Sequence, residues 1–169
     1  MHVTATLSPA PGILRAIAQR DNAAVAHIIR SVLTGYGCTG EGYAIADPEV
    51  DAMFEAYQEP QSKYFVVEED GVVVGCGGVA PLKDGDGHTC ELQKFYVLEE
   101  YRGRGYGNLL LDASLAAARE FGFTRCYLET LPFMEVAGRM YERAGFKQIE
   151  KPLGNTGHHA CNRWYVKEL

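Results

Sequence analysis

The period with which apolar and polar positions alternate changes several times along the chain, and each period predicts one kind of element. Apolar residues recur at helical spacing over residues 23–33, directly after the capping pair Asp21-Asn22. Pro48 suits the first position of a second helix, which we expect to run to about Tyr57. Residues 13–17 predict a short strand. The first third of the chain is therefore predicted to hold one strand and two helices.

The middle of the chain is predicted to form three strands. Residues 64–67 and 72–79 are rich in β-branched side chains, and Asp70-Gly71 between them is typical of a hairpin turn. Residues 90–97 form the next apolar run. A glycine-rich turn follows it and leads into a helical pattern over residues 108–121, which ends at Gly122.

The last part of the chain alternates again between strand and helix. Residues 126–131 predict a strand, and residues 134–144 predict a helix with Gly145 in the C-cap position. Residues 146–149 and 159–166 predict two final strands. The complete order is β-α-α-β-β-β-α-β-α-β-β, which indicates an α+β or mixed α/β domain around one central sheet.

The turn between the strand at 92–97 and the helix at 108–121 is a candidate anion site. Its sequence is Arg102-Gly103-Arg104-Gly105-Tyr106-Gly107. Unpaired N–H groups and the macrodipole favour anions at a helix start, glycines admit a phosphate close to the backbone, and arginines supply charged forks. The pattern predicts a phosphate-bearing ligand, in the first place a pyrophosphate. A tight turn with solvated arginines fits the local composition equally well.

Composition narrows the function further. The chain has 169 residues, is 47% hydrophobic and carries a net charge of −6, which fits one globular domain and argues against nucleic acid as a partner. A negative protein weakly favours a cationic co-substrate such as an amine. No apolar run is long enough for a membrane span, and residues 1–19 do not resemble a signal peptide, so we expect no membrane partner.

The cysteines and histidines do not predict a metal site. The five cysteines are odd in number, widely spaced and without a C-x-x-C pair, which is typical of reduced thiols in a cytoplasmic protein. The cysteines and histidines that invite comparison with zinc ligands are His88, Cys90, His158, His159 and Cys161. Their spacing matches no established zinc pattern, so no metal is expected.

Two motifs in the expected order make the chain similar to the GNAT superfamily of acyl-CoA-dependent N-acyltransferases. The cofactor signature Q/R-x-x-G-x-G/A corresponds to residues 102–107, and an aromatic-rich helix end before Gly-Phe corresponds to residues 140–146. Residues 128–132 also resemble the corresponding segment of bacterial members of this superfamily. The resemblance covers nearly the whole chain. It implies a single GNAT domain over residues 1–169, with a mostly antiparallel sheet of about seven strands, a parallel V-shaped split in its middle and about four flanking helices.

The resemblance also implies the chemistry. The donor would be acetyl-CoA, and the acceptor a primary amine of a small molecule or a protein that attacks directly in a ternary complex. The implied cofactor-binding residues are Phe95, Tyr96, Val97, Arg102, Gly103, Arg104, Gly105, Tyr106, Gly107 and Tyr141. The Val97 N–H matches the family position that polarises the thioester carbonyl. The family's frequent Asn after the fifth strand is replaced by residues 131–134, Leu-Pro-Phe-Met, which predicts an apolar pocket wall.

Tyr141 and Glu91 are the leading catalytic candidates. By resemblance, Tyr141 protonates the departing thiolate, although its helix position alone also fits a core tyrosine. Glu91 is the first candidate for the general base, because it and Gln93 share one face of a largely apolar strand. Glu129 is the alternative base, and His158 or His159 a third option. Each of these polar residues also fits an ordinary rim or salt-bridged position.

The acceptor region and the quaternary state are less defined. By resemblance, the acceptor would enter near the loop 33–44 and the helix 48–57, where Tyr36, Tyr43 and Tyr57 could line a pocket. Dimers are common in the family, so a homodimer is open. Two other functions stay possible at this point: a catalytically weak acyl-CoA-binding regulatory module, and a nucleotide-binding protein of unrelated fold.

Overall fold

The computed structural model describes residues 12–169, which form a seven-stranded mixed sheet with four helices. The strands are β1 (Ile13–Ala16), β2 (Lys63–Glu69), β3 (Val72–Pro81), β4 (Thr89–Val97), β5 (Arg125–Thr130), β6 (Lys147–Ile149) and β7 (Arg163–Glu168). The helices are α1 (Asn22–Gly35), α2 (Met53–Ala56), α3 (Tyr106–Glu120) and α4 (Glu135–Arg143). The predicted fold class and element order are confirmed.

The expectation about a signal peptide concerns residues 1–19, of which 1–11 lie outside the described residues. Across residues 12–169, no helix combines the length and apolar character that a membrane crossing requires.

The sheet splits in its middle. Its strand order is β1-β2-β3-β4-β5-β7-β6, and every neighbouring pair is antiparallel except β4 and β5. These two parallel strands pair only over Thr89–Glu91 and Arg125–Tyr127. Both strands continue beyond that point without pairing to each other, so a V-shaped gap opens between them. The predicted parallel split is confirmed.

A β-bulge in β4 bends the strand at the mouth of this split. Cys76 pairs with Tyr96 and Gly78 with Gln93, so β4 carries one residue more than β3 between the two pairs. Lys94 takes up the extra length at a φ of 46°, which is uncommon for a residue with a side chain. Its carbonyl accepts hydrogen bonds from the Tyr64 hydroxyl and the Cys76 thiol, which hold the bulge in place.

Both faces of the sheet are covered by apolar packing. On one face, α3 and α4 pack on a core that includes Leu110, Leu111, Leu115, Leu128 and Phe146. On the other face, α1 and the segment after it pack on a second core that includes Val25, Ile28, Ile29, Met53 and Val66. The split lies between these two cores, so both layers contribute to its walls.

The predicted helix over residues 48–57 is wrong as a continuous element. The chain forms a 3₁₀ turn over Pro48–Asp51, leaves helical geometry at Ala52, and then makes only the short α2. The reason is a long-range contact: the Asn22 side chain accepts the Phe54 N–H at 2.8 Å, which caps α2 on the start of α1. The local pattern contained no sign of this partner.

The predicted strand over residues 159–166 is also displaced, since β7 runs over Arg163–Glu168. Residues 158–161 instead form a turn closed by the Cys161 N–H and the His158 carbonyl at 3.0 Å. The prediction of unpaired cysteines is confirmed: all five are free, and four of them are buried.

Candidate active site

A cavity of about 460 Å³ runs through the split. At one end it is bordered by the glycine turn (residues 102–107), through Arg102, Gly103, Gly105, Tyr106 and Gly107. At the other end it is bordered by Glu91, Gln93, Lys94, Glu129 and His158. Phe95, Tyr96, Val97 and Tyr141 lie along the wall between them. The structure therefore brings most of the predicted site residues into one space.

The glycine turn has the backbone of an open helix start. Gly103 and Gly105 adopt φ values of 78° and 84°, and Gly105 is the N-cap of α3. An added Cβ at either position would meet no protein atom within 4 Å. The left-handed backbone explains the glycines, while the empty space beside them leaves the first N–H groups of a 15-residue helix open to an anion.

The two arginines of the turn have different positions. Arg102 borders the cavity, where its Nε donates to the Val97 carbonyl at 3.0 Å. Arg104 points away from the cavity and binds the carboxylate of the buried Glu69 at 2.6 and 2.7 Å. The expectation of two arginine forks at the ligand is thus met in geometry by Arg102 alone, because Arg104 is held in an ion pair.

The edge of β4 offers a free backbone donor to the split. The Leu98 N–H donates to the Val74 carbonyl of β3 at 2.9 Å. Because N–H groups alternate sides along an antiparallel strand, the Val97 N–H points away from β3 and into the gap. This orientation is what the predicted role of Val97 requires.

Tyr141 lies on the cavity wall and is 6% exposed. Its ring packs against Phe95, Phe146 and Tyr165, with centroids 6.2, 5.8 and 6.2 Å away. Burial raises the pKa of the Tyr141 hydroxyl above its usual value, so the phenol carries its proton at neutral pH. A protonated donor fixed by aromatic packing can act as a general acid.

Glu91 is buried, with 4% of its surface exposed, and it faces the cavity. Gln93 donates to it at 2.6 Å, and the Tyr57 hydroxyl donates to the Gln93 carbonyl oxygen at 2.5 Å. Burial, together with the charge of Glu129, raises the pKa of Glu91 to about 7 despite the hydrogen bond from Gln93. Such a carboxylate can take a proton near neutral pH.

Glu129 stands close to Glu91 but is already engaged by hydroxyl groups. Tyr127 donates to one of its oxygens at 2.8 Å, and Thr156 donates to the other. The Leu153 N–H in turn donates to the Tyr127 hydroxyl at 3.2 Å. The segment between β6 and β7 is thus pinned onto the end of β5 and fixes the Glu129 carboxylate.

His158 belongs to a charged cluster at the end of the cavity that Glu91 and Glu129 border, which we call the acceptor end. Its Nε2 lies 2.7 Å from an oxygen of Asp47, and the buried Lys94 ammonium lies 2.8 Å from that oxygen and 2.9 Å from Glu49. Burial lowers the pKa of His158, but the hydrogen bond and charge of Asp47 outweigh it and leave the pKa raised. His159 does not border the cavity and packs against Gly42.

Three candidate ligand atoms come close together at this end. Those of Glu91, Glu129 and His158 lie within 4.8 Å of one another. The cysteine and histidine set considered from the sequence does not form such a group in residues 12–169. The Glu129 oxygens and His158 Nε2 already have hydrogen-bond partners in the protein, which a metal would have to displace.

The acceptor-side predictions are met in part. Tyr36 and Tyr43 border the cavity. Tyr57 lies beneath the cavity and is connected to it only by the hydrogen bond from its hydroxyl to Gln93. The apolar wall expected from residues 131–134 is formed by Leu131 and Met134, while Phe133 is exposed and packs against Tyr36 with centroids 5.7 Å apart.

Sequence reasoning missed the buried ion cluster around Lys94 and the hydroxyl pair that holds Glu129. A lysine inside the apolar run 92–97 was a usable signal, since a buried lysine needs a carboxylate partner. Asp47, Glu49 and Thr156 gave no local signal, because they reach the site from distant parts of the chain.

Comparisons with known proteins agree with this architecture. The sequence model of the Acetyltransferase (GNAT) family matches residues 17–146. An uncharacterized N-acetyltransferase of Escherichia coli K12, YjgM, is 43% identical over 164 residues, which are 96% of this chain and 98% of that protein. An uncharacterized N-acetyltransferase of Mycobacterium bovis, Mb2688, is 34% identical over 70% of this chain and 75% of its own length.

Solved structures share the fold at lower sequence identity. A GNAT-family acetyltransferase from Staphylococcus aureus Mu50 superposes with a TM-score of 0.82 at 20% identity, covering 94% of this chain and 99% of the other. YncA, a putative acetyltransferase from Salmonella typhimurium solved with its cofactor acetyl-CoA, gives 0.71 at 24% identity, covering 94% and 92%. With the split sheet, the glycine turn and the matching family, the chain belongs to the GNAT family of acetyltransferases and is an acyltransferase enzyme.

Proposed function

We propose that the protein, acting as one catalytic domain, transfers an acetyl group from acetyl-CoA to a primary amine of a small molecule or a protein by direct attack in a ternary complex. The observation that carries the proposal is the single cavity that joins the glycine turn to Glu91 and Tyr141. An anion site at one end and acid–base groups further along suit a long donor with a phosphate part and a reactive thioester. The alternative of a weak binding module has no supporting observation, and the GNAT fold excludes an unrelated nucleotide-binding fold.

The donor end of the cavity fits acetyl-CoA. The N-terminus of α3 and the open glycines suit a pyrophosphate, and Arg102 adds a cation on the same wall. The apolar residues Leu131 and Met134 suit an uncharged arm. YncA of Salmonella typhimurium holds acetyl-CoA, and PaiA of Thermoplasma acidophilum holds coenzyme A, on the same fold.

Each step then belongs to one group of this chain. Glu91 takes a proton from the ammonium of the acceptor, which frees the nitrogen lone pair. The nitrogen attacks the thioester carbon, and the Val97 N–H stabilises the negative oxygen that forms. The C–N bond is made, the C–S bond breaks, and Tyr141 gives its proton to the leaving thiolate. The nitrogen still carries two hydrogens after the attack, and it loses one of them to solvent as the amide forms. Solvent also returns a proton to Tyr141 and removes the one held by Glu91, so the net products are an amide, a free thiol and one released proton.

Glu91 suits the base better than its rivals do. Burial places its pKa at about 7, whereas both oxygens of Glu129 accept hydrogen bonds from hydroxyl groups. The Nε2 of His158 is committed to a hydrogen bond with Asp47, and that hydrogen bond and the charge of Asp47 outweigh burial and raise the pKa of the ring. The hydrogen bonds and pKa shifts therefore favour Glu91 as the general base, with Glu129 and His158 as its neighbours.

The test is the release of free thiol from acetyl-CoA in the presence of a panel of primary amines, with the acetylated product confirmed by mass. We expect Tyr141→Phe to lower kcat by about a hundredfold or more, which is the usual share of a general acid. Tyr165→Phe is the matched control, because it removes the same atom from the adjacent buried ring outside the cavity wall. Equal activity of Tyr141→Phe and the wild type would contradict the role of Tyr141.

A further inference from the structure

The acceptor end of the cavity holds two carboxylates without a counter-cation. Among residues 12–169, neither Glu91 nor Glu129 makes a salt bridge. The partners that hold them are a glutamine amide and two hydroxyls, which carry no charge. Both side chains border the cavity, and their nearest oxygens lie within 4.8 Å of each other.

The cations nearby are already compensated. The Lys94 ammonium lies within 2.9 Å of the carboxylates of both Asp47 and Glu49. His158, the other basic group at this end, is bound to the same Asp47 oxygen at 2.7 Å. Counting these neighbours, four carboxylates face one lysine and one histidine, so the acceptor end keeps a negative balance that its own side chains do not neutralise.

Two like charges this close repel each other strongly where water is scarce, because the low dielectric of a partly buried site weakens their screening. A cationic ligand relieves that repulsion. The reacting nitrogen cannot do so throughout the reaction, because it must lose its proton before it attacks. A second positive group that stays protonated on the acceptor can compensate Glu129 during the whole step.

We infer that the acceptor is a dication of the diamine type, an inference that rests on the function proposed above. One ammonium is held by Glu129, while the other nitrogen gives its proton to Glu91 and is acetylated. Leu33, Tyr43 and Ala44, which border the same cavity from the predicted acceptor loop, suit the methylene chain between the two nitrogens. An amine that carries a carboxylate instead would meet repulsion from Glu129.

The first experiment uses the unmodified protein and three primary amines of equal chain length. Putrescine ends in a second ammonium, butylamine in a methyl group and γ-aminobutyrate in a carboxylate. We expect kcat/KM to fall in that order, with about tenfold or more between putrescine and butylamine, the effect of one favourable ion pair in a partly buried site. Added salt should shrink this ratio. Equal kcat/KM for putrescine and butylamine would overturn the inference.

The second experiment tests whether Glu129 is the residue that recognises the second positive charge of the acceptor. We expect Glu129→Gln to bring the putrescine-to-butylamine ratio of kcat/KM close to one, whatever the effect on absolute rates. Glu120→Gln, on the exposed surface of α3 and away from the cavity, should keep the ratio of the unmodified protein. An unchanged ratio in a folded Glu129→Gln protein would overturn the assignment of the second ammonium to Glu129.

The outcomes separate this inference from the proposed function. Acetylation of several amines without any preference for a second positive charge would refute the diamine acceptor and leave acetyl transfer standing. The absence of thiol release with every primary amine, under conditions where acetyl-CoA raises the melting temperature, would refute both.

Discussion

Ionisation of the single buried carboxyl of Glu91 should have opposite effects on the protein, because it raises activity and lowers stability. Its pKa of about 7 means that it ionises only as the pH approaches neutrality. We therefore expect kcat/KM to rise with pH through about 7, and Glu91→Gln to remove this rise together with most of the activity. Measuring kcat/KM with a saturating donor from about pH 5 to pH 9 would show it.

The same substitution should stabilise the protein at alkaline pH. A carboxyl with a pKa raised on folding binds its proton more tightly in the native state, so the native state loses stability as the pH rises from the unfolded pKa to the folded one. Glu91→Gln has no ionisable group at this position, so its native state does not lose stability in this way. The difference in free energy of unfolding between this variant and the unmodified protein should therefore grow in favour of the variant, by roughly 3 kcal/mol between about pH 4.5 and pH 8. Urea unfolding at both pH values is the check, and an advantage that shrinks with pH would be incompatible with a raised pKa.

At the scale of one element, glycine substitutions at the two ends of α3 can separate the effect of backbone strain from the effect on ligand binding. Gly105 precedes the helix and Gly122 follows it, at φ values of 84° and 87°, and neither has a protein atom within 4 Å of an added Cβ. Alanine at either position should lower the free energy of unfolding by about 1 kcal/mol, because only the left-handed backbone resists it.

Only the substitution at the start of α3 should affect the donor. Gly105→Ala places a methyl group at the helix N-terminus where a phosphate would approach, so we expect its Kd for acetyl-CoA to rise by about tenfold or more. Gly122→Ala should keep the affinity of the unmodified protein. Calorimetric titration of both variants gives the answer, and a similar Kd for the two would argue against the glycine turn as the phosphate site.

Elements with local signals could be predicted from the sequence, whereas those set by distant contacts could not. The hairpin at Asp70-Gly71 and the turn before α3 depend on backbone preferences that glycine itself reveals. The break at Ala52 depends on Asn22, some thirty residues earlier in the chain. The site followed the same rule: Glu91 and Gln93 share a strand face by simple alternation, but Thr156 reaches Glu129 only through the fold.

At the scale of the whole molecule, the split is a structural weakness as well as the proposed binding site. β4 and β5 share only three paired positions on each strand, as few as the edge pair β6 and β7, so the two halves of the sheet are joined over a short stretch. The bulge at Lys94 and the segment between β6 and β7, pinned to Tyr127 and Glu129, hold the gap in shape. A ligand that contacts both walls should therefore stabilise the entire fold.

This property makes thermal unfolding a direct assay for the donor. Acetyl-CoA at about 100 times its Kd should add about 2.7 kcal/mol, which for a protein of this size raises Tm by about 5–10 °C. ATP and NAD at equal concentration share the phosphates but not the thioester arm, so they can contact the glycine turn but not the apolar wall formed by Leu131 and Met134. Their shifts should be small. A shift with ATP as large as that with acetyl-CoA would mean that the turn binds phosphate without regard to the rest of the cavity, and no shift with acetyl-CoA would remove the donor from the proposal.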